Sequence, residues 1–236
     1  MNAVQIRQAV ILCGGIGSRL GELTKSTPKP LLPVAGRPFL AFLLDRLRAE
    51  GLDRFLLLAA FENEQIKAFA QSYMQSHSGI TIEVAVEPGR VGTGGAIWHA
   101  REALDDHFYL LNGDSWLNAS LRDLDVHITP SVLGVLSLRH VDDRTRYGAV
   151  ETDGDNVTVF GGSGSASGPG YINGGVYLFN KAIVGFLPED GSLEQLTLPP
   201  LALKGQLRGV KRDCYFIDIG VIEDFDRAQT ELLAQI

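Results

Sequence analysis

An apolar run that breaks into a glycine-rich turn near the start of the chain is the feature that most limits its fold. Ala9-Val10-Ile11-Leu12 is followed directly by Cys13-Gly14-Gly15-Ile16-Gly17-Ser18-Arg19-Leu20. A buried strand that ends in such a turn presents free backbone N–H groups, and these bind phosphate. Two cations, Arg19 and Lys29, come shortly after the glycines. The segment therefore predicts a site for a triphosphate that is to be attacked.

The turn does not match the common phosphate-binding loops. A Walker loop ends in Gly-Lys-Ser/Thr, and no such tripeptide follows Gly14. A dinucleotide fingerprint needs G-x-G-x-x-G, but the glycine that follows Gly15 and Gly17 is Gly21, one residue too late. The alternative without a ligand is a strand–turn–helix corner in which the glycines only allow tight packing.

Predicted helices and strands alternate in the first half of the chain. Apolar periodicity predicts helices over 38–50, 64–74 and 93–104, and a last helix over 221–233. Short apolar runs such as 54–60 and 107–111 are typical of buried parallel strands. This order predicts an α/β fold with a Rossmann-like, mostly parallel twisted sheet flanked by helices, and a smaller β lobe.

Beyond Asp114 the pattern loosens into shorter predicted strands. The glycine- and serine-rich stretch 161–170 cannot pack a core, so it is predicted to be a mobile loop. The sequence shows neither an internal repeat nor a long linker. We therefore expect residues 1–236 to form one domain, with one half of about 1–115 and a second half of about 116–236.

Composition and charge exclude several classes of protein. The net charge of −7 argues against a broad nucleic-acid surface, which needs basic patches. No apolar run approaches the length of a membrane span, and the N-terminal residues lack the layout of a signal peptide. The two cysteines, Cys13 and Cys214, form neither a disulfide framework nor a metal-ligand spacing. We expect a reduced, cytoplasmic protein that binds neither nucleic acid nor membrane.

Two consecutive motifs give the chain its family resemblance. The turn reads L-x-G-G-x-G-x-R-L, and Pro28-Lys29-Pro30-Leu31-Leu32-Pro33-Val34 follows it. Together they resemble the signature of sugar-1-phosphate nucleotidyltransferases, and the resemblance extends over roughly 6–227. It implies that an oxygen of a sugar 1-phosphate attacks the α-phosphate of a nucleoside triphosphate and releases pyrophosphate. These two substrates would be the partners, and a homodimer is compatible with the sequence.

The resemblance also implies roles for individual residues. The implied catalytic residues are Arg19, Lys29 and Asp114. The implied nucleotide-binding residues are Leu12, Gly14, Gly15, Gly17, Ser18, Arg19, Glu87, Gly92, Thr93 and Asp114. The implied residues for the sugar phosphate are Gly113, Arg146, Tyr147, Gly148, Asn173, Gly174 and Asp218.

Two aspartates are the implied metal ligands. Asp114 and Asp218 each follow an apolar stretch, and open parallel sheets bind ligands at the carboxyl ends of their strands. In the family, aspartates at these places hold the metal that bridges nucleotide and sugar phosphate. Mg²⁺ is usually held by one or two carboxylates plus phosphates and water, so we expect Mg²⁺ as cofactor. Taken singly, each residue could instead be a turn or helix-capping aspartate.

Residues 87–96 resemble the base-reading segment of the family. The glycines in this segment leave room for the backbone to approach a base edge. Glu87 falls where relatives place a polar base-reading side chain, and its carboxylate is an acceptor that suits the adjacent N–H donors of guanine. We therefore expect GTP as the nucleotide. For Thr93, a helix N-cap is the alternative.

The second half lacks one cation that the family uses. Residues 146–151 and 171–177 resemble segments that bind sugar hydroxyls. Many relatives carry a Glu-Lys-Pro between these segments whose lysine meets the sugar phosphate, but this chain has Gly161-Gly162-Ser163 there. Arg146, Arg139 or a cation from a moving loop would have to replace that lysine.

The resemblance is strongest to short bacterial members that activate D-glycero-α-D-manno-heptose 1-phosphate with GTP, a step in nucleotide-sugar supply for surface polysaccharides. The segments 92–96, 172–177 and 216–220 carry it. A mannose-1-phosphate guanylyltransferase and a uridylyltransferase acting on a hexose or N-acetylmuramate phosphate are the alternatives within the family. A nucleotide-sensing regulatory subunit is the non-enzymatic alternative, although it would be expected to lose the charged residues kept here. A molybdopterin-type nucleotidyltransferase shares the glycine loop but not its Pro-Lys-Pro continuation.

Overall fold

A computed structural model describes residues 5–15, 17–163 and 166–236. The strands are β1 (Gln8–Leu12), β2 (Pro33–Val34), β3 (Arg37–Pro38), β4 (Arg54–Ala59), β5 (Thr81–Val86), β6 (His107–Asn112), β7 (Ser115–Leu117), β8 (Gly134–Val141), β9 (Gly148–Asp153), β10 (Asn156–Ser163), β11 (Gly170–Asn180), β12 (Leu207–Arg212) and β13 (Phe216–Asp218). The α-helices are α1 (Phe39–Ala49), α2 (Asn63–Ser76), α3 (Gly92–His99), α4 (Leu198–Leu203) and α5 (Ile222–Glu231). In these parts of the chain, nine strands form one sheet in the order β5-β4-β1-β6-β11-β8-β12-β10-β9.

The first half supplies the parallel part of this sheet. Strand β1 lies between β4 and β6 and is parallel to both, and β5 is parallel to β4 on the outer side. Val10 packs into the core on one face of the sheet, while Ala9 and Ile11 pack into the core on the other. Because helices cover both faces, every residue of the strand can be apolar, which explains the unbroken run in the sequence.

Helices cover the sheet on both sides. Side chains of α1, α2 and α5 pack on one face, and side chains of α3 and α4 pack on the other. The predicted α/β fold, with a sheet flanked by helices, is thus confirmed. Among the described residues, no helix combines the length and the apolar character needed to cross a bilayer.

The second half adds mainly antiparallel pairings. Strand β11 is antiparallel to β6 and β8, and β10 is antiparallel to β9 and β12, while β12 is parallel to β8. The predicted mobile loop over 161–170 is wrong at both of its ends, because β10 extends to Ser163 and β11 begins at Gly170. Pairing of Phe160 with Val150 and of Ser163 with Gly148 keeps this part of β10 extended. Gly164 and Ser165 lie outside the described residues.

Two strand ends meet at one edge of the sheet and position the site. Leu12 is paired with Asn112, so the segments that follow β1 and β6 leave the sheet side by side. The N–H of Gly113 donates to the carbonyl of Leu12 at 3.0 Å. A Cβ atom on Gly113 would stand 2.4 Å from that oxygen, so this close approach requires glycine. Strand β13 then places Asp218 opposite Ser115, beside Asp114.

Candidate active site at the strand ends

The glycine-rich turn after β1 is closed by the residues that follow it. Gly17 has a φ of 67°, a conformation that favours glycine. The hydroxyl of Thr24 donates to the Gly17 carbonyl at 2.9 Å, at the end of a 3₁₀ turn over Ser18–Thr24. Ile16 and the side chain of Ser18 lie outside the described part of the chain, so the implied role of the Ser18 side chain has no geometry here.

Lys29 and Asp114 form an ion pair at this edge. The Lys29 side chain is buried in the Pro28-Lys29-Pro30 segment, and its Nζ donates to Asp114 Oδ2 at 2.6 Å. Asp114 lies in the turn between β6 and the short strand β7. The structure thus brings together two of the implied catalytic residues, a lysine and an aspartate that are far apart in the sequence.

Asp218 lies next to this pair. The N–H of Gly220 donates to Asp218 Oδ1 at 2.8 Å, and the N–H of Ile219 donates to the Asp114 carbonyl at 2.9 Å. Burial and the nearby charge of Asp114 raise the pKa of Asp218. Arg19 is close by, with its Nη2 at 3.5 Å from the place that a Cβ atom on Gly220 would take. Two carboxylates and two cations therefore meet at the strand ends.

Two of the cavities that the described residues line adjoin at this meeting point. The first has a volume of about 310 Å³, and the implied site residues that line it are Leu12, Gly15, Lys29, Thr93, Gly113 and Asp114. The second has a volume of about 370 Å³, and the implied site residues that line it are Arg19, Arg146, Tyr147, Gly148, Asn173 and Asp218. Four of the implied nucleotide residues line the first cavity and five of the implied sugar-phosphate residues line the second, whereas Gly113 lines the first and Arg19 lines the second. Ser18 aside, the implied residues that line neither are Gly14, Gly17, Glu87, Gly92 and Gly174. A larger, mainly apolar cavity of about 490 Å³, beside α1 and Trp116, contains none of the implied site residues.

Glu87 lies beside the glycine-rich turn and not among the residues that line the two cavities. A Cβ atom on Gly14 would stand 2.4 Å from Glu87 Oε1, so the carboxylate is packed against the backbone of the turn. Burial raises the pKa of Glu87 to about 7. The side chain is therefore in the neighbourhood of the first cavity, with a carboxyl group that changes charge near neutral pH.

The glycines at the start of α3 have a neighbour that the sequence did not reveal. Gly92 has a φ of 70°, and a Cβ atom there would stand 2.6 Å from the carbonyl oxygen of Gly191. Cβ atoms on Gly94 and Gly95 would stand 2.9 Å from Pro188 and 2.8 Å from the Glu189 carbonyl. The room that these glycines leave is thus filled by the segment 188–191. Thr93 does not cap the helix with its side chain, since its hydroxyl donates to Glu194.

The implied sugar-phosphate residues come from several strands. Arg146 lines the second cavity, and its Nη2 donates to Asp224 Oδ2 at 3.0 Å. Asn173 donates from Nδ2 to the Tyr177 hydroxyl and accepts at Oδ1 from the N–H of Gly175 at 3.2 Å. Gly174 instead packs against β8, where a Cβ atom would stand 2.9 Å from the Ser137 carbonyl. Arg139 donates to Asp213 at 3.0 Å and does not line the second cavity, but it lines a third cavity of about 430 Å³ together with Arg146 and Asp218.

Several polar lining residues were not foreseen from the sequence. They are Asn112, Ser115, Ser192, Glu194 and Gln195, and of these Asn112 and Glu194 line both cavities. The sequence pattern that could have drawn attention to the last three is Ser192-Leu193-Glu194-Gln195, which is typical of a helix start. The Ser192 hydroxyl indeed accepts from the N–H groups of Glu194 and Gln195, at the start of a π-helical turn over Leu193–Thr197.

A metal ion would have few protein ligands here. Among residues 5–15, 17–163 and 166–236, no group of three or more His, Cys, Asp or Glu side chains is arranged to hold a metal. The pair Asp114 and Asp218 is nonetheless a fitting donor set, because Mg²⁺ commonly takes only one or two carboxylates and completes its shell with phosphates and water. The mutual repulsion of two neighbouring carboxylates is also the kind that a cation relieves.

Comparison with known proteins shows which proteins this chain is similar to. The model of the nucleotidyl transferase family matches residues 8–235. The D-glycero-alpha-D-manno-heptose 1-phosphate guanylyltransferase of Aneurinibacillus thermoaerophilus is 36% identical over 229 residues, which are 95% of this chain and 98% of that protein. The protein of the same name from Campylobacter jejuni is 34% identical over 220 residues, which are 92% of this chain and 96% of that protein.

Solved structures show the same fold. HddC from Yersinia pseudotuberculosis is 28% identical, with a TM-score of 0.81 over 96% of this chain and 100% of that chain. The structure of that protein complexed with GMP-PN has a TM-score of 0.79 over the same shares of the two chains. The family suggested by the two sequence motifs is confirmed. This chain therefore belongs to the nucleotidyl transferase family.

Proposed function

We propose that this protein joins D-glycero-α-D-manno-heptose 1-phosphate to the guanylyl group of GTP, giving a GDP-sugar and pyrophosphate. The observation that carries the proposal is that two cavities adjoin near Asp114 and Asp218, with Lys29 lining one cavity and Arg19 lining the other. Such a reaction needs two anionic substrates to meet at one phosphorus atom. Two adjoining cavities, each lined by a cation, can bind the two substrates side by side.

In the proposed reaction, an oxygen of the sugar 1-phosphate forms a bond to the α-phosphorus of GTP. The bond between that phosphorus and the oxygen leading to the β-phosphate breaks, and pyrophosphate leaves with the electron pair. The attacking phosphate oxygen is already ionised, so no side chain has to remove a proton. Lys29 and Arg19 act by stabilising the negative charge that shifts toward the leaving pyrophosphate.

Enzymes of this family generally use a divalent metal ion. We propose Mg²⁺, with Asp114 and Asp218 as its protein ligands. When bound, the ion would neutralise phosphate charge and help to align the two substrates. In the structure Lys29 already donates to Asp114, so this lysine holds one of the two carboxylates in place.

The proposed choice of base and sugar rests on two supports. A carboxylate beside the glycine-rich turn is an acceptor for the adjacent N–H donors of guanine, and Glu87 lies there. The two curated relatives named above are both guanylyltransferases for D-glycero-alpha-D-manno-heptose 1-phosphate. Mannose 1-phosphate as acceptor, or UTP as donor, is the alternative.

We further propose that the two halves, about 1–115 and 116–236, act as one catalytic domain in the cytoplasm, where GTP is available. Pairing of β6 with β11 supports this, since it joins the halves within the sheet. Residues from both halves line each cavity.

A substrate matrix tests the proposal. Purified protein is assayed for pyrophosphate release with GTP, UTP, dTTP and CTP against the heptose 1-phosphate and mannose 1-phosphate, with Mg²⁺ and with EDTA. We expect the highest kcat/KM for GTP with the heptose 1-phosphate, and loss of turnover in EDTA. A clear preference for a pyrimidine nucleotide would refute the base assignment. Nucleotide binding without turnover in any combination would favour a regulatory subunit.

A further inference from the structure

Glu194 stands where the two cavities adjoin. It lines both of them, while its neighbours Ser192 and Gln195 line only the second. It belongs to the π-helical turn that follows the segment packed against the glycines of α3. None of the motifs that carry the family resemblance includes it, and the proposed reaction has not used it.

Hydrogen bonds hold the Glu194 carboxylate in one orientation. Its Oε2 accepts from the Thr93 hydroxyl at 2.6 Å and from the Ser192 hydroxyl at 2.7 Å. The Thr93 oxygen itself accepts from the N–H of Leu193 at 2.9 Å, and the Ser192 oxygen accepts from the N–H of Gln195 at 3.2 Å. Both hydroxyl protons therefore point at Glu194, which acts as a fixed acceptor.

This carboxylate retains acceptor capacity. An ionised carboxylate has roughly four acceptor positions, and the two hydroxyl donors take two of them. The same cavity contains the cations Arg19 and Arg146, which attract a phosphate, and Asp218, which the proposed metal would engage. A sugar 1-phosphate carries its negative charge at one end and its hydroxyl donors on the ring. In such a cavity its phosphate is drawn to the arginines and repelled by Glu194, so its hydroxyls are the groups that suit Glu194.

We propose that Glu194 is a specificity-determining residue that accepts a hydrogen bond from a hydroxyl group of the sugar 1-phosphate. This inference rests on the proposed function, because it presumes that the second cavity takes the sugar. Thr93, at the start of α3, fixes the direction of the carboxylate. Discrimination among sugars thus depends in part on Thr93, one of the residues implied to bind the nucleotide.

The first test is the effect of Glu194 variants on each substrate. Glu194→Ala should raise KM for the sugar 1-phosphate by about tenfold or more, the usual loss for a hydrogen bond to a charged group, and Glu194→Gln should raise it less. KM for GTP should stay within about twofold of the wild-type value. Glu189→Gln is the matched control, since this exposed glutamate lies in the segment 188–191 just before the turn that contains Glu194 and lines neither cavity. A rise in KM for GTP alone would overturn the assignment in favour of a ribose contact.

The second test identifies the hydroxyl and separates recognition from a structural role. Monodeoxy analogues of the sugar 1-phosphate are compared in the wild type and in Glu194→Ala. For one analogue, kcat/KM of the wild type should fall by about tenfold or more relative to the natural sugar. For the same analogue, kcat/KM of Glu194→Ala should fall by less than about twofold, because this variant has already lost the contact. If every analogue costs both proteins equally, Glu194 does not read a hydroxyl, and the inference fails.

The two proposals fail in different ways. If the wild type turns over no sugar 1-phosphate with any nucleoside triphosphate, the proposed function is wrong and this inference falls with it. If the wild type is active and Glu194→Ala keeps the wild-type KM for the sugar 1-phosphate, only this inference is overturned. Thermal unfolding of each variant shows whether the fold is kept, and Glu194→Gln retains nearly the shape of the side chain.

Discussion

Replacing Glu87 by glutamine should make the protein more stable at alkaline pH. Burial raises the pKa of Glu87 from 4.5 to about 7, so the folded chain binds this proton more tightly than the unfolded chain does. Stability is therefore lost as the pH rises from about 4.5 to about 7, and the loss is complete above that range. The full shift corresponds to about 3 kcal/mol, because one pKa unit is worth about 1.4 kcal/mol.

Glutamine has nearly the same shape and no charge to desolvate. Solvent reaches part of the Glu87 side chain and reduces the effect of its charge. We therefore expect Glu87→Gln to raise the free energy of unfolding by about 1 to 3 kcal/mol at about pH 8. Well below pH 4.5 the two proteins should differ little, because the carboxyl group is then largely protonated in both the folded and the unfolded state.

Urea unfolding of both proteins, followed by fluorescence across this pH range, measures the difference. Glu83→Gln in strand β5, which ends just before Glu87, is the matched control, because the Glu83 side chain is exposed. A Glu87→Gln variant that is no more stable than the wild type at about pH 8 would refute the reasoning. The carboxylate would then have a favourable partner in the folded state that offsets its burial.

Asp218→Asn should lower kcat by on the order of 10²–10³ in the steady-state assay, yet leave thermal unfolding unchanged or shifted upward, because it removes a buried charge beside Asp114. Lys29→Ala should lower kcat/KM. It should also lower the free energy of unfolding, measured in urea, by about 1 to 3 kcal/mol, because it leaves Asp114 without its cation. Arg19→Ala, at an exposed position, should lower kcat/KM and leave the free energy of unfolding unchanged. If Arg19→Ala and Lys29→Ala lost equal stability, this difference between the two residues would be contradicted. Arg146→Ala should raise KM for the sugar 1-phosphate while KM for GTP stays nearly constant, and equal changes in the two KM values would show that Arg146 does not meet the sugar phosphate.

The parts of the site that the sequence predicted are those encoded by continuous segments. An apolar run that ends in glycines indicates a strand and its turn, and Pro28-Lys29-Pro30 marks the lysine. The aspartates at the ends of β6 and β13 follow the general rule that ligands bind at strand ends, and the structure places them side by side.

What the sequence did not predict depends on contacts between distant segments. Glu194 lies in the site and accepts a hydrogen bond from Thr93, which is about a hundred residues earlier in the chain. No local sequence pattern predicts a contact between two residues so far apart. Stretch 161–170 has the composition of a loop, yet its first residues pair with β9 and its last begins β11. Tertiary pairing outweighed local propensity there. The glycines of α3 suggested room for a base, but the neighbour that fills that room is nearly a hundred residues further along the chain.

The close packing of segment 188–191 on the start of α3 has a consequence for protein engineering. A side chain larger than hydrogen at Gly94 or Gly95 would push this segment outward and move Glu194 with it. Exchanging residues 87–96 with those of a relative, to change the preferred nucleotide, would therefore disturb the sugar cavity unless residues 188–195 were exchanged as well. Chimaeras of this family should treat these two segments as a single transplantable unit.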